Sequence, residues 1–150
     1  MIDEQTDRDE RFMRLALAEA TAAYDEGEIP VGAVIVSHGV VIARAHNQTE
    51  ILHDVTAHAE MLAITAAADR LGGKYLTDCT LYVTAEPRAM CAGAIGWAQL
   101  SRVVDGADDE KRGYSRFAPQ ALHPKATVTT HLLEEDCRKL MQSFFKNRRK

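Results

Sequence analysis

The spacing of apolar residues in the first third of the chain predicts one helix followed by a β-hairpin. Between residues 9 and 26 apolar side chains recur at steps of three and four residues, the period of an amphipathic helix, and Gly27 suits its end. Pro30 prevents the helix from continuing. Two apolar runs, 31–36 and 40–45, flank a short Ser-His-Gly turn and predict paired strands.

Strand-like and helix-like segments alternate along the rest of the chain. Residues 60–71 are rich in Ala, Leu and Met and stop at a Gly-Gly pair, which is typical of a helix. The later predicted elements are a buried strand over 80–84, a fully enclosed helix over 89–99, a strand over 102–104, an edge strand over 127–130 and a helix over 134–147. The buried side of that last helix is expected to carry Cys137, Leu140, Met141, Phe144 and Phe145.

These elements predict an α/β fold, a three-layer α/β/α sandwich around a five-stranded mixed sheet. The unit strand–helix–strand over 80–104 predicts a parallel crossover. We expect residues 1–150 to form a single domain, because no repeat is present, with residues 1–8 flexible and a basic tail after the last helix. The polar stretch 106–125 is long for a connection without structure, and such loops are usually functional or partly disordered.

Composition places the chain among water-soluble proteins of a reducing compartment. The hydrophobic fraction of 46% and the charged fraction of 27% are ordinary for a globular protein. The acidic N-terminus does not resemble a signal peptide, and no apolar run approaches the roughly 18 residues that span a bilayer. Three scattered cysteines do not suggest a disulfide scaffold. We therefore expect a cytoplasmic protein without a membrane partner.

The net charge of −4 does not by itself indicate a nucleic-acid partner. The last five residues, 146–150, nevertheless form a basic cluster that could contact phosphates. Charge alone equally fits a solvated tail.

Two short motifs carry the chemistry. The first is His58-Ala59-Glu60, and the second, Pro87-Arg88-Ala89-Met90-Cys91, follows after 26 residues. Zinc deaminases use His-x-Glu followed by Pro-Cys-x-x-Cys, so that one His and two Cys hold the metal beside a Glu that moves protons. Both motifs lie where a helix is predicted to begin, and the partial positive charge there is expected to favour a thiolate at Cys91. Zinc bound at such a site lowers the pKa of a water molecule to near 7.

Each motif alone is weak, because a single His is more often structural and a single Cys more often part of the core. Together they are hard to obtain by chance, and the match extends well beyond them. The chain resembles the bacterial tRNA-specific adenosine deaminases of the cytidine deaminase-like superfamily over roughly residues 9–149. The resemblance is carried by residues 28–34, Asn47 with 53–60, 90–95, 109–113 and 144–149.

The resemblance implies a role for several residues. His58 and Cys91 would be zinc ligands, with one zinc per subunit, Glu60 would be the catalytic proton shuttle, and Asn47 would hydrogen-bond the target nucleotide. The implied reaction is hydrolytic conversion of the wobble adenosine of tRNA to inosine in a homodimer. The implied partner is the tRNA anticodon loop, since single-stranded RNA is recognised through unstacked bases. The residues expected to contact RNA are Asp109, Lys111, Arg148 and Arg149.

Arg88 departs from the motif, because it stands where the third ligand is expected. A guanidinium stays protonated and has no lone pair for a metal. Cys79, at the far end of its strand, would lie roughly 20 Å away, and neither Cys137 nor His53 is an evident substitute. We therefore predict that zinc is weakly bound or absent and that activity is strongly reduced. We also predict that Arg88 points into the zinc position and pairs with Glu60 or a nearby acceptor, since a buried guanidinium needs a partner.

Asp105 is a second departure, at a position where relatives carry an aromatic residue. It fits either a surface carboxylate at a strand end, the reading that we favour, or altered packing near the substrate. Two alternative functions stay open. One is deamination of a free base or nucleoside such as guanine or cytosine, and the other is a catalytically silent RNA-binding subunit with the same fold.

Overall fold

The computed structural model describes residues 3–148 and contains one five-stranded mixed sheet. The strands are β1 (Gly32–Ser37), β2 (Val40–His46), β3 (Cys79–Ala85), β4 (Arg102–Ala107) and β5 (Thr127–Thr129). They lie in the order β2-β1-β3-β4-β5, with β1 antiparallel to both neighbours and β3, β4 and β5 parallel. The predicted hairpin and parallel crossover are therefore confirmed.

Helices cover both faces of the sheet, which confirms the predicted α/β/α sandwich. They are α1 (Glu4–Asp25), α2 (Ala59–Leu71), α3 (Ala89–Ala98), the short α4 (Tyr114–Phe117) and α5 (Glu134–Arg148). One face packs against α1 and α5, and the other packs against α2 and α3. Within residues 3–148, no helix combines the length and apolarity that crossing a membrane requires.

Side-chain alternation along the central strands divides the core in two. Ala33 and Ile35 of β1 belong to the cluster beneath α2 and α3, whereas Val34 and Val36 belong to the cluster beneath α1. Gly32 marks the closest approach of α1, because a Cβ there would lie 1.9 Å from a backbone oxygen of that helix. Burial on both faces explains why this strand is apolar throughout.

The first helix begins at Glu4, five residues earlier than the apolar period predicts. Asp3 caps it by accepting a hydrogen bond from the Gln5 amide at 3.3 Å. Asp9 is buried and accepts hydrogen bonds from both Arg102 Nη atoms at 2.8 and 2.7 Å and from the Tyr82 hydroxyl at 2.7 Å. Residues 4–8, which were expected to be flexible, are thus helical. The next turn is held to the sheet by the polar contacts of Asp9, which an apolar pattern in the sequence does not reveal.

Two predictions about helix burial are wrong. The helix α3 is not fully enclosed, because Trp97 is 86% exposed and Met90 is 39% exposed. On α5, Phe145 is exposed, although it was expected on the buried side. Strand β4 also runs on to Ala107, past the predicted end at residue 104, so that Asp105 lies within the sheet.

Candidate active site

The two sequence motifs meet at the first turns of two helices. His58 is the N-cap of α2, with an extended backbone, and Arg88 is the N-cap of α3. The His58 Nδ1 atom lies 3.6 Å from the Cys91 Sγ atom. Ligand-type atoms of His58, Glu60 and Cys91 all lie within 4.8 Å of one another. Three of the residues singled out from the sequence are therefore gathered at one point, although 26 residues separate the two motifs along the chain.

Burial controls the protonation of these groups. It raises the pKa of Glu60 to about 6, against the opposing effects of hydrogen bonds and of Arg88. Burial, then the Glu60 carboxylate, raises the pKa of the Cys91 thiol, so the expectation of a thiolate is wrong for these protein groups by themselves. Burial and the charge of Arg88 lower the pKa of His58, which leaves its imidazole neutral at pH 7. A neutral imidazole is the form that binds metals.

The side chain of Arg88 turns towards solvent and is 46% exposed. Its Nε atom donates to Asp109 Oδ2 at 3.3 Å, so the guanidinium pairs with Asp109 rather than with Glu60. Of the two partners predicted for Arg88, the nearby acceptor is right and Glu60 is wrong. The guanidinium therefore does not fill the space between Glu60 and Cys91.

A cleft of about 1020 Å³ is lined by His58 and Glu60, whereas Cys91 is fully buried behind them. Asn47, 5% exposed, lies in its wall, as do Asp109 and Lys111. Residues of α5, including Met141 and Phe145, form the opposite wall. The position of Phe145 in this wall explains why an apolar side chain of the last helix stays accessible.

The remaining basic residues expected to contact RNA are placed differently. Arg148 donates to the backbone oxygen of Gly27 at 3.0 Å, and its guanidinium lies 5.0 Å from the ring centre of Phe144. Arg148 thus joins α5 to the end of α1, and it does not line the cleft. Arg149 lies outside the described residues.

Glu86 is a site residue that the motif reading missed. Its buried carboxylate accepts hydrogen bonds from the backbone amides of Asp109 and Ser115, each at 3.1 Å. A Cβ on Gly113 would lie 2.3 Å from the same carboxylate, so any side chain there would force the Glu86 carboxylate to move. The hydrogen bonds of Glu86 therefore fix the conformation of the loop on which Asp109 contacts Arg88. An acidic residue directly before the Pro of the second motif is the sequence signal that could have shown it.

Glu28 likewise holds a loop in place through hydrogen bonds to its backbone amides, here the loop that leads to His58. It is fully buried, and its two carboxylate oxygens accept from the amides of Glu50 at 3.1 Å and Ile51 at 2.8 Å. In the sequence, this residue is visible only as part of the segment 28–34 that leads into the first strand. Its burial against these loop amides is a tertiary feature that a sequence motif does not reveal.

Asp105 is buried, so the favoured reading of a surface carboxylate is wrong. It is 1% exposed, and its Oδ1 atom has no hydrogen-bond partner among residues 3–148. Burial, followed by the charges of Glu86 and Asp108, raises the pKa of Asp105 to about 7.

The distance between His58 Nδ1 and Cys91 Sγ fits two ligands of one zinc ion. Zinc bonds of about 2.0–2.1 Å to nitrogen and about 2.3 Å to sulfur, at a tetrahedral angle, place the two atoms about 3.6 Å apart. The observed separation of His58 Nδ1 and Cys91 Sγ is 3.6 Å. His58 and Cys91 could therefore both contact one zinc ion without rearrangement.

Comparison with known proteins agrees with this site. Residues 6–107 match the family described as the cytidine and deoxycytidylate deaminase zinc-binding region. The chain is 43% identical over 148 residues to the tRNA-specific adenosine deaminase of Bacillus subtilis, covering 95% of this chain and 92% of that protein. The corresponding protein of Aquifex aeolicus is also 43% identical, over 93% of this chain and 95% of the relative.

Solved structures agree as well. A tRNA:A34 deaminase studied for A-to-I editing at the wobble position superposes with a TM-score of 0.82 at 42% identity, covering 87% of this chain and 98% of that one. The guanine deaminase of Nitrosomonas europaea gives a TM-score of 0.76 at 25% identity, over 96% of this chain and 86% of that one. By sequence, fold and the gathering of His58, Glu60 and Cys91, the chain belongs to the tRNA-specific adenosine deaminases within the cytidine and deoxycytidylate deaminase family.

Proposed function

We propose that this protein recognises the anticodon loop of tRNA in the cytoplasm and that its hydrolytic conversion of the wobble adenosine to inosine is strongly reduced. The substrate follows from the similarity to tRNA-specific adenosine deaminases. The reduction follows from one observation, that the ligand position of the second motif carries Arg88, whose guanidinium is paired with Asp109.

Each residue of the cleft has a role in this proposal. Asn47, in the buried wall, hydrogen-bonds the target base. Glu60 lies at the bottom of the cleft, where it can move a proton between water and the base. Zinc, when bound, lowers the pKa of the attacking water. Lys111 is free of the Arg88–Asp109 pair and lies at the cleft wall, where it can contact the RNA backbone.

Inosine formation in an anticodon stem-loop tests the proposal. The native chain is expected to act more than about 100-fold more slowly than Arg88→Cys, because loss of even an outer partner of a metal site costs about 10- to 100-fold. Arg88→Ala is the matched control, since it removes the guanidinium without adding a thiolate, and we expect no recovery. Full activity of the native chain would overturn the proposed impairment.

A homodimer is proposed from the surface of α3. This helix, Ala89–Ala98, carries no charged, amide or hydroxyl side chain, and helices that are apolar all round are normally buried. Met90 and Trp97 lie seven residues apart, on the same face, and both are exposed in the single chain. A second copy of the chain would cover this face. Sedimentation should show a dimer for the native protein and a monomer for Trp97→Lys, and an unchanged mass would refute this interface.

A free base is the second candidate substrate. Eight carboxylate and four cationic residues line the cleft: Glu50, Asp54, Glu60, Glu86, Asp108, Asp109, Glu110 and Glu134 against Arg88, Lys111, Arg112 and Arg138. Such a lining suits a neutral base better than a phosphate chain, and a guanine deaminase shares the fold. Ammonia release from guanine by Arg88→Cys, without inosine formation in RNA, would favour this candidate. Binding of the stem-loop without turnover in either chain would instead indicate a silent RNA-binding subunit.

A further inference from the structure

We propose that Glu60 is the third protein ligand in this chain, so that His58, Glu60 and Cys91 together bind one zinc ion. This set differs from the one His and two Cys that the family motif implies. The inference rests on one premise of the proposed function, namely that position 88 supplies no donor. It adds that the residue expected to move protons takes over the missing contact, so that zinc is retained in this chain instead of being weakly bound or absent, as the sequence alone predicts.

The distances allow this set. Donor atoms around tetrahedral zinc lie roughly 3.4–3.6 Å apart when the bonds have their usual lengths of about 2.0–2.3 Å. His58 Nδ1 and Cys91 Sγ are already 3.6 Å apart, and all three donors lie within 4.8 Å of one another. Bringing the Glu60 carboxylate from at most 4.8 Å to roughly 3.4–3.6 Å from the other donors needs a movement of about 1.4 Å at most, which a change in side-chain torsion can supply.

The backbone explains how His58 and Glu60 can reach the same point although they are two residues apart. Within a helix such residues point to different sides. His58 is the N-cap and has an extended backbone, with φ −75° and ψ 152°, whereas Glu60 lies in the first helical turn. Only Glu60 follows the helical arrangement, so both side chains can face Cys91 on α3.

Charge favours Glu60 as the added ligand. Zinc held by a neutral imidazole and one thiolate would leave a net positive charge in a site where Glu60 is 4% exposed and Cys91 is fully buried. The Glu60 carboxylate makes the complex neutral. Of the other carboxylates in the cleft, Asp109 already neutralises Arg88 at 3.3 Å, and the buried Glu86 accepts from the amides of its own loop. Glu60 is thus the buried anion that is free to balance the metal.

The consequence is that metal binding and proton transfer compete for the same side chain. A carboxylate whose lone pair contacts zinc is a poorer proton acceptor for water. The chain would therefore keep a metal and still turn over slowly. A merely empty site would give the same slow turnover, so metal binding has to be measured directly.

The test compares the same substitution in two backgrounds. Full-length chains freed of metal are titrated with Zn²⁺ against a chromophoric chelator, for Glu60→Ala in the native chain and in Arg88→Cys. We expect one equivalent of zinc in the native chain. Glu60→Ala should weaken zinc binding by more than about 100-fold there, but by less than about 10-fold in Arg88→Cys, where a second thiolate completes the set.

Cobalt supplies an independent readout. Co²⁺ bound to the native chain should show a thiolate charge-transfer band of about half the intensity seen in Arg88→Cys, and Cys91→Ser should remove it from the native chain. Circular dichroism of the metal-free variants establishes that each is folded. Should Glu60→Ala fail to fold, Glu60→Gln gives the same comparison with an isosteric, weaker ligand.

The inference is overturned if the native chain binds no zinc, or if Glu60→Ala weakens binding equally in both backgrounds. The proposed function fails on a different measurement, because it requires slow inosine formation by the native chain. A native chain that is fully active and still depends on Glu60 for zinc would refute the proposed impairment alone. A native chain that forms inosine slowly but whose zinc affinity is unchanged by Glu60→Ala would refute the ligand assignment alone.

Discussion

Replacing Asp105 with Asn is expected to remove a pH-dependent loss of stability from this protein. Asp105 is 1% exposed and its Oδ1 atom has no partner within residues 3–148, so the folded state disfavours its charged form. Burial and the neighbouring carboxylates Glu86 and Asp108 raise its pKa to about 7, while His131 opposes them. In the unfolded chain the same carboxyl ionises near pH 3.8.

The size of the effect follows from this difference in pKa. Because the folded pKa is raised, the stability contribution of Asp105 is fully present below pH 3.8 and is lost as pH rises to about 7. A difference of roughly 3 pH units, at 1.36 kcal/mol per unit, corresponds to about 4 kcal/mol in the free energy of unfolding. About 2–3 kcal/mol of this should be lost between pH 5 and pH 8.

Urea unfolding followed by far-UV circular dichroism, at half-unit steps from pH 5 to 8, measures this loss. The stability of Asp105→Asn relative to the native chain should rise by about 2–3 kcal/mol over that range and level off above about pH 7.5. Asp69→Asn, which changes an exposed carboxyl of α2, is the matched control and should show no such trend. An Asp105→Asn difference that is constant within about 0.5 kcal/mol would refute the reasoning, whatever its absolute value.

Three further substitutions test contacts that hold the fold and the cleft. Arg102→Ala leaves the buried Asp9 without its bidentate partner and should cost about 3 kcal/mol in urea unfolding; a loss below about 1 kcal/mol would contradict this. Glu28→Gln presents an amide donor to a loop amide and should cost about 2 kcal/mol and speed hydrogen exchange at residues 50 and 51; unchanged exchange there would argue against it. Gly113→Ala places a Cβ 2.3 Å from the Glu86 carboxylate and should raise the exchange rate of the amides that Glu86 binds, with Gly93→Ala, where a Cβ meets open space, as control.

Local patterns were sufficient for most of the fold. The helix α2 and the strands β1, β2 and β3 were predicted to within about one or two residues, because apolar spacing and turn residues act over a few positions. The start of α1 was missed because residues 4–8 are polar and exposed and so carry no apolar period, while Asp3 caps the helix before them. The exposure of Trp97 was missed because an apolar helix does not reveal which neighbour covers it.

The sequence by itself determined the family and the identity of the side chains available for chemistry, including the loss of a thiolate at position 88. Only the tertiary structure decided how those side chains are used. It turned Arg88 towards Asp109, brought donor atoms of Glu60 and Cys91 within 4.8 Å, and enclosed Asp105 with no hydrogen-bond partner for Oδ1 among residues 3–148. The physical reason is that motifs encode donor types along the chain, whereas distance, burial and charge balance depend on residues that folding brings together from distant positions.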